Sequence, residues 1–263
     1  MILTQKQFID PKITLVGAGP GDPDLISLKA LKAIKTADVI LYDALVSEDL
    51  LEYAPQHATR VYVGKRSDDQ THSQDAVNKL MIDYALNYGH VVRLRSGDPF
   101  VFGKGYEELE YAASYSIPAE FIPGVSSASS VPGLLGIPVT QQGISDSFWV
   151  VKGTDENGEI SADLAAAAQS DATVVVLMGI DKLGEIAEVF KKAGKERLPA
   201  AVISNGSIDN EEIVVGVVNT IAEAVHDRKI ESPSLIIFGD VVSLHPLFQP
   251  IRESYAFAEG LYA

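Results

Sequence analysis

The chain has 263 residues, 46% of them hydrophobic, with no cysteine and a formal net charge of -15. That leaves room for one large domain or two modest ones around a substantial core. It excludes disulfides and cysteine-ligated metals, and it disfavours a nucleic-acid partner, whose phosphates need a positive field.

The first half alternates short apolar runs with helical patterns. Strands are predicted at Ile13–Gly17, Val39–Tyr42, Thr59–Val63, Val91–Arg95 and Ala119–Ile122. Helices are predicted where Leu25, Leu28, Leu31 and Ile34 recur and where Val77, Leu80, Met81 and Tyr84 recur, with another starting near Gly105. This alternation marks βαβ units and a largely parallel sheet. The stretch Pro123–Gly143 is dense in glycine, proline and serine but too apolar for a free linker. It reads as a packed connection with one short helix near a domain join. Beyond it, FWVVKG, TVVVLMG, AAVIS, EEIVVGVV and SLIIFGDVV are strand candidates. Helical patterns lie at Ala162–Gln169, Lys182–Ala193 and Thr220–Arg228. AAVISNGS and EEIVVGVV are close enough for an antiparallel hairpin, so the second sheet is expected to be mixed. No apolar run approaches the roughly 20 residues of a bilayer span. The N-terminus has no basic region leading into an apolar core, so a cytoplasmic protein away from membranes is expected.

The turn after the first strand, GAGPGD, breaks the dinucleotide fingerprint: Gly17 and Gly19 fit, but Asp22 stands where the third glycine is due. Pro20 removes an amide, and Asp22 puts a carboxylate where a phosphate would sit. Gly-Asp-Pro occurs at Gly21–Pro23 and again at Gly97–Pro99, each time in a loop that follows a strand. Asp43 ends the second strand, where dinucleotide folds place a ribose-binding acid. Lys65, Arg66, Arg93, Arg95 and Lys104 are candidates for a basic patch, with Arg93 and Arg95 on one face of a strand. His57, His72, His90, His226 and His245 form no metal-ligand spacing, so no metal is expected.

The ordered segments VGAGPGDPDLISLKALKAIKTADVILYDALVS, VGKR, RLRSGDPFVFGKGYEE, IPGVSSAS, GIPVT and VLMGI closely resemble the uroporphyrinogen-III C-methyltransferases. These are S-adenosylmethionine-dependent tetrapyrrole methylases. The likeness runs from Ile13 to Pro246. It implies two α/β/α domains, assigned here to residues 1–138 and 139–263, with the active site in the cleft between them, usually in a homodimer. Carried over by position, cofactor contacts fall on Pro20, Ser96, Gly97, Asp98, Val101, Ser126, Ser127 and Met178, and on the segment from Ala201 to Gly206. The resemblance makes Asp43 a proton acceptor rather than a ribose ligand, and Lys65 a proton donor. Arg66, Arg93, Arg95 and Lys104 become ligands for a polycarboxylate substrate.

The implied reaction methylates two pyrrole carbons of uroporphyrinogen III, giving precorrin-2 for sirohaem or cobalamin synthesis, with S-adenosylhomocysteine as the other product. The alternatives are a methylase of a later precorrin and a non-catalytic tetrapyrrole or S-adenosylmethionine binder. The chain departs from the family pattern at several places. Ser96 replaces a common glycine and Lys104 a common arginine. Gln141 and Gln142 follow Thr140 where a basic pair is usual, and Lys152–Thr154 reads KGT in place of a TGH-like segment.

Overall fold

The computed structural model describes residues 9–64 and 73–258. The chain divides into two compact units, Met1–Ser126 and Ser127–Ala263. The expected boundary at residue 138 lies too late. Ala128, Val131 and Ile137 are buried in one cluster with Val175, Ala201 and Leu235, so the short helix after Pro123 packs with the second unit.

In the first unit, strands β1 (Lys12–Gly17), β2 (Val39–Tyr42), β3 (Thr59–Tyr62), β4 (His90–Arg95) and β5 (Ala119–Ile122) form one sheet in the order β3-β2-β4-β1-β5. All four pairings are parallel. The fourth strand is thus inserted between the first two and is buried on both faces. Helix α1 (Leu28–Ile34) covers one face, and α2 (Gln74–Tyr88) and α3 (Gly105–Ser114) cover the other. Ser27 caps α1 by accepting the Ala30 amide, and Ser73 caps α2 by accepting the Ala76 amide; each satisfies an orphan donor of the first turn.

The apolar face of α1 differs from the expected leucine stripe. Leu28 is 77% exposed, whereas Ala30, Ile34 and Ala37 are buried against the sheet. A spacing of three drifts round a helix of 3.6 residues per turn. The i, i+4, i+7 set stays on one side, and its alanines allow close approach.

The second unit contains α4 (Ser127–Leu134), β6 (Phe148–Lys152), α5 (Asp163–Gln169), β7 (Thr173–Leu177), α6 (Leu183–Lys192), β8 (Pro199–Ser204), β9 (Glu212–Val217), α7 (Ile221–Asp227), β10 (Ser234–Phe238) and α8 (Gln249–Ala258). Its sheet runs β6-β7-β10-β8-β9. Only β6 and β7 pair in parallel, so the sheet is mixed as expected, and β8 and β9 form the hairpin. Helices α5, α6 and α7 bury one face, while α4, a 3-10 turn at Asp240–Leu244 and α8 cover the other. Each unit is therefore an α/β/α sandwich with its own core. Among the described residues, no helix is long and apolar enough to cross a membrane.

Candidate functional site

Parallel strands bring their carboxyl ends to one edge, and in the first unit three loops meet there. Gly19 and Gly97 form a backbone bridge, with the Gly97 amide donating to Gly19 O at 2.6 Å. The Ala18 amide donates to Arg95 O at 2.7 Å. A Cβ on Gly17 would lie 2.7 Å from Gly97 O and closer still to the Gly124 amide nitrogen. The glycines of GAGPGD are therefore used to pack loop on loop, backbone against backbone, which accounts for a glycine pattern unlike a pyrophosphate cradle.

The two Gly-Asp-Pro tripeptides share a local structure. Asp22 accepts the Asp24 amide at 2.8 Å, and Asp98 accepts the Phe100 amide at 2.7 Å, each reaching two residues on past its proline. This is an Asx turn, in which the aspartate replaces a backbone acceptor. Asp98 does more: its second oxygen accepts the Gly124 amide at 3.2 Å and ties the β4 loop to the β5 loop. Pro20, Ser96, Gly97 and Ser126 are half-buried beside these turns, and Val101 is exposed. Gly97 has φ of +62°, and a Cβ built on it would meet nothing within 4 Å. Its backbone faces open space, as a ligand contact requires.

Asp43 stands directly after β2, and its surroundings change the reading of the basic residues. Arg93 Nη2 donates to Asp43 Oδ1 at 2.6 Å, Arg93 Nε to Glu108 Oε1 at 3.2 Å, and Arg93 Nη1 to the carbonyls of Leu41 and Leu94. Arg95 Nη1 donates to the same Glu108 oxygen at 2.8 Å, and its Nε lies 3.5 Å from Asp43 Oδ2. Arg93 and Arg95 do share a face of β4, but they form no free basic patch. Arg93 is 2% exposed, and two carboxylates balance both guanidinium groups. A central strand covered by helices leaves Arg93 no solvent and Arg95 little, so counter-charges had to be built in. Lys104, at the start of α3, is exposed. Lys65 and Arg66 lie outside the described residues.

Sequence reasoning missed Glu108. In YEEL, Glu107 is exposed and Glu108 is 1% exposed. Two arginines alternating inside a buried strand required acids on the helix above, and that was the available signal. Gln74 and Asn78 extend the network from α2: Gln74 Nε2 lies 3.0 Å from Glu108 Oε1 and 2.9 Å from Asn78 Oδ1.

In the second unit the carboxyl ends of β6, β7 and β8 share an edge. Three non-glycine residues there adopt left-handed backbone: Met178 (φ 55°), Asn205 (φ 49°) and Ser207 (φ 74°). Such conformations cost of order 1–3 kcal/mol each and gather at functional sites. Met178 is 49% exposed. Gly206 packs on α4, where a Cβ would collide with the methyl groups of Val131. Ala201 is different. It lies inside β8 with no exposed surface, so the open part of the Ala201–Gly206 segment is its end, after Ser204. Ser127 opens α4, half-buried, and Gln141 and Gln142 are exposed on a turn closed by a Gln141–Ser145 bridge. Among the described residues, no three His, Asp or Glu side chains converge as metal ligands do.

The sequence model of a family described as Tetrapyrrole (Corrin/Porphyrin) Methylases matches residues 12–222. The chain belongs to the tetrapyrrole methylase family. Within it, the chain is 40% identical over 235 residues to a uroporphyrinogen-III C-methyltransferase of Methanocaldococcus jannaschii, covering 89% of this chain and 97% of that protein. It is 38% identical over 240 residues to a siroheme synthase of Nitrosomonas europaea, of which it spans 50%. Among solved methylase structures it resembles the uroporphyrin-III C-methyl transferase of Thermus thermophilus complexed with S-adenyl homocysteine. That match has 37% identity and a TM-score of 0.76, and covers 89% of this chain and 99% of the other.

Proposed function

We propose that the chain transfers methyl groups from S-adenosylmethionine to two pyrrole carbons of uroporphyrinogen III, giving precorrin-2 and S-adenosylhomocysteine. Near full-length likeness to the methyltransferase from Methanocaldococcus jannaschii supports this reading. The observation that carries it is the loop cluster around Gly97 and Asp98 beside Asp43. The edge is shaped by glycines packed backbone against backbone and by an aspartate that ties two loops, which suits a sulfonium cofactor better than a phosphate. When bound, S-adenosylmethionine supplies an electrophilic methyl and its own leaving group, so the chain needs no nucleophile.

The chain's own residues then have two tasks. Gly97 and Asp98 hold the turn that receives the cofactor, with Asp98 fixing two loops at once. Methylation at a pyrrole carbon must be followed by loss of a proton, and on this reading Asp43, whose side chain is 23% exposed, accepts it. Lys65 is the matching donor on this reading. Recognition of the substrate carboxylates falls to Arg66 and Lys104, since Arg93 and Arg95 are already paired. The chain works as a cytoplasmic homodimer on the same reading, which sedimentation at several concentrations tests.

The test of function is incubation with uroporphyrinogen III and S-adenosylmethionine, following S-adenosylhomocysteine and the mass of the tetrapyrrole. Gain of two methyl groups is expected. Cofactor binding without methyl transfer would favour the binding-protein alternative, for which Gln141 and Gln142 are the motivating feature. Asp43→Asn should bind S-adenosylhomocysteine normally and lose turnover by roughly 10²–10⁴-fold, the range for a general acid–base group. Unchanged turnover would exclude the proton role.

A further inference from the structure

Resting on the reading of Asp43 as proton acceptor, we propose that Glu108 is a positioning residue for the reaction: from the core beneath β4 it fixes both arginines that hold the Asp43 carboxylate. The four groups form a neutral quartet, with two carboxylates and two guanidinium groups. Their exposure rises outward, with side chains at 1% for Glu108, 2% for Arg93, 17% for Arg95 and 23% for Asp43. The cluster is thus rooted in the interior and opens at Asp43.

Each contact removes one freedom. Arg93 is locked to the β2 and β4 backbones through the Leu41 and Leu94 carbonyls, which leaves Nη2 aimed at Asp43 Oδ1. Arg95 has a long, loose approach to Asp43, 3.5 Å from Nε to Oδ2, and its firm partner is Glu108 at 2.8 Å. Without Glu108, Arg95 would be free to turn toward solvent. A single oxygen, Glu108 Oε1, takes both arginines and the Gln74 amide, so α2, α3 and β4 are joined at one point.

Stability alone does not explain this arrangement. Buried ion clusters are often no more stabilising than apolar residues of the same volume, because desolvation offsets attraction. Here the second oxygen, Glu108 Oε2, is buried with no hydrogen-bond partner among the described residues. A partly satisfied buried network is a cost to the fold, and such costs persist where they hold a functional group in place. The group held here is Asp43. Misplacing a reacting group by about 1 Å can cost on the order of 10²-fold in rate.

The test is a double-mutant comparison by steady-state kinetics with uroporphyrinogen III. Glu108→Gln should lower kcat by about 10–100-fold while the Michaelis constant and S-adenosylhomocysteine affinity stay within roughly threefold. In the Asp43→Asn background the same substitution should cause no further loss. Glu108→Asp keeps the charge and draws the oxygen back by about 1.5 Å, so it should recover part of the kcat that Glu108→Gln loses. It also carries the comparison should Glu108→Gln not fold, as judged by lost S-adenosylhomocysteine binding.

Wild-type kcat in Glu108→Gln, or an equal loss in both backgrounds, would overturn the proposal. Full turnover in Asp43→Asn would instead overturn the proton-acceptor reading itself.

Discussion

Arg93 and Asp43 are joined by a hydrogen bond of 2.6 Å between a guanidinium group 2% exposed and a carboxylate that reaches the surface at the end of β2. The pair makes the site part of the core, since Arg93 sits in the central strand. Removing one member of a buried pair strands the other charges and costs about 3–5 kcal/mol. Arg93→Met is therefore expected to destabilise the protein by that amount in denaturant unfolding. Removing Glu108 as well restores the charge balance, so Arg93→Met/Glu108→Met should be more stable than Arg93→Met alone. A double variant weaker than the single one would show that charge balance is not the governing factor.

Two glycines of the loop cluster should respond differently to alanine. At Gly17 the new methyl would press on the backbone of Gly97 and Gly124, and overpacking against backbone costs about 1–3 kcal/mol. At Gly97 the methyl meets open space. Stability should fall there only by the left-handed backbone penalty, about 1–2 kcal/mol, while S-adenosylhomocysteine binding weakens because the methyl occupies ligand volume. Calorimetric titration of the folded Gly97→Ala variant decides the point, and unchanged affinity would place the cofactor elsewhere.

Asp98→Ala removes the acceptor of the Phe100 and Gly124 amides. Hydrogen bonds to a charged group are worth about 1.5–3 kcal/mol, so tenfold or greater weakening of S-adenosylhomocysteine is expected, at ~1.4 kcal/mol per tenfold. The Michaelis constant for the tetrapyrrole should move less. Equal effects on both ligands would mean that the loop serves the substrate as much as the cofactor.

His90 lies at the start of β4, at the other end of that strand from Asp43. Its Nδ1 donates to the Thr36 carbonyl at 2.9 Å, and its Nε2 accepts from Thr14 Oγ1 at 2.8 Å, an arrangement that satisfies the neutral ring. Burial, with a smaller contribution from Lys12, pushes its pKa below the ordinary 6.5, against the opposing pull of the Thr36 carbonyl, Asp38 and Glu120. The unfolded chain therefore binds this proton more readily than the folded one. The stabilising contribution is fully present above pH 6.5 and is lost as pH falls through 6.5 toward the folded value. His90→Gln should flatten the fall of Tm as pH drops below 6.5. An unchanged slope would assign the acid sensitivity to other groups.

Much of the fold is legible in the sequence because it is local. The apolar runs at Val39–Tyr42 and Ala119–Ile122 coincide with β2 and β5. The hairpin of β8 and β9 follows from two strand patterns separated by a short polar turn. The broken glycine fingerprint argues against a dinucleotide from the sequence alone, since an absent glycine and an added carboxylate are visible without coordinates. The family, too, was carried by ordered short motifs.

Tertiary structure decided what depends on neighbours distant in sequence. Alternation places Arg93 and Arg95 on one face of a strand but cannot say that β4 lies between β1 and β2, and that insertion turns an expected surface patch into a buried quartet. It also put Ala30 and not Leu28 against the sheet, sank Ala201 into the interior of β8, and joined residues 127–138 to the second unit. Hydrophobic pattern reports which residues can be buried. Strand order and helix placement determine which of them are, and which charges must then be paired in the interior.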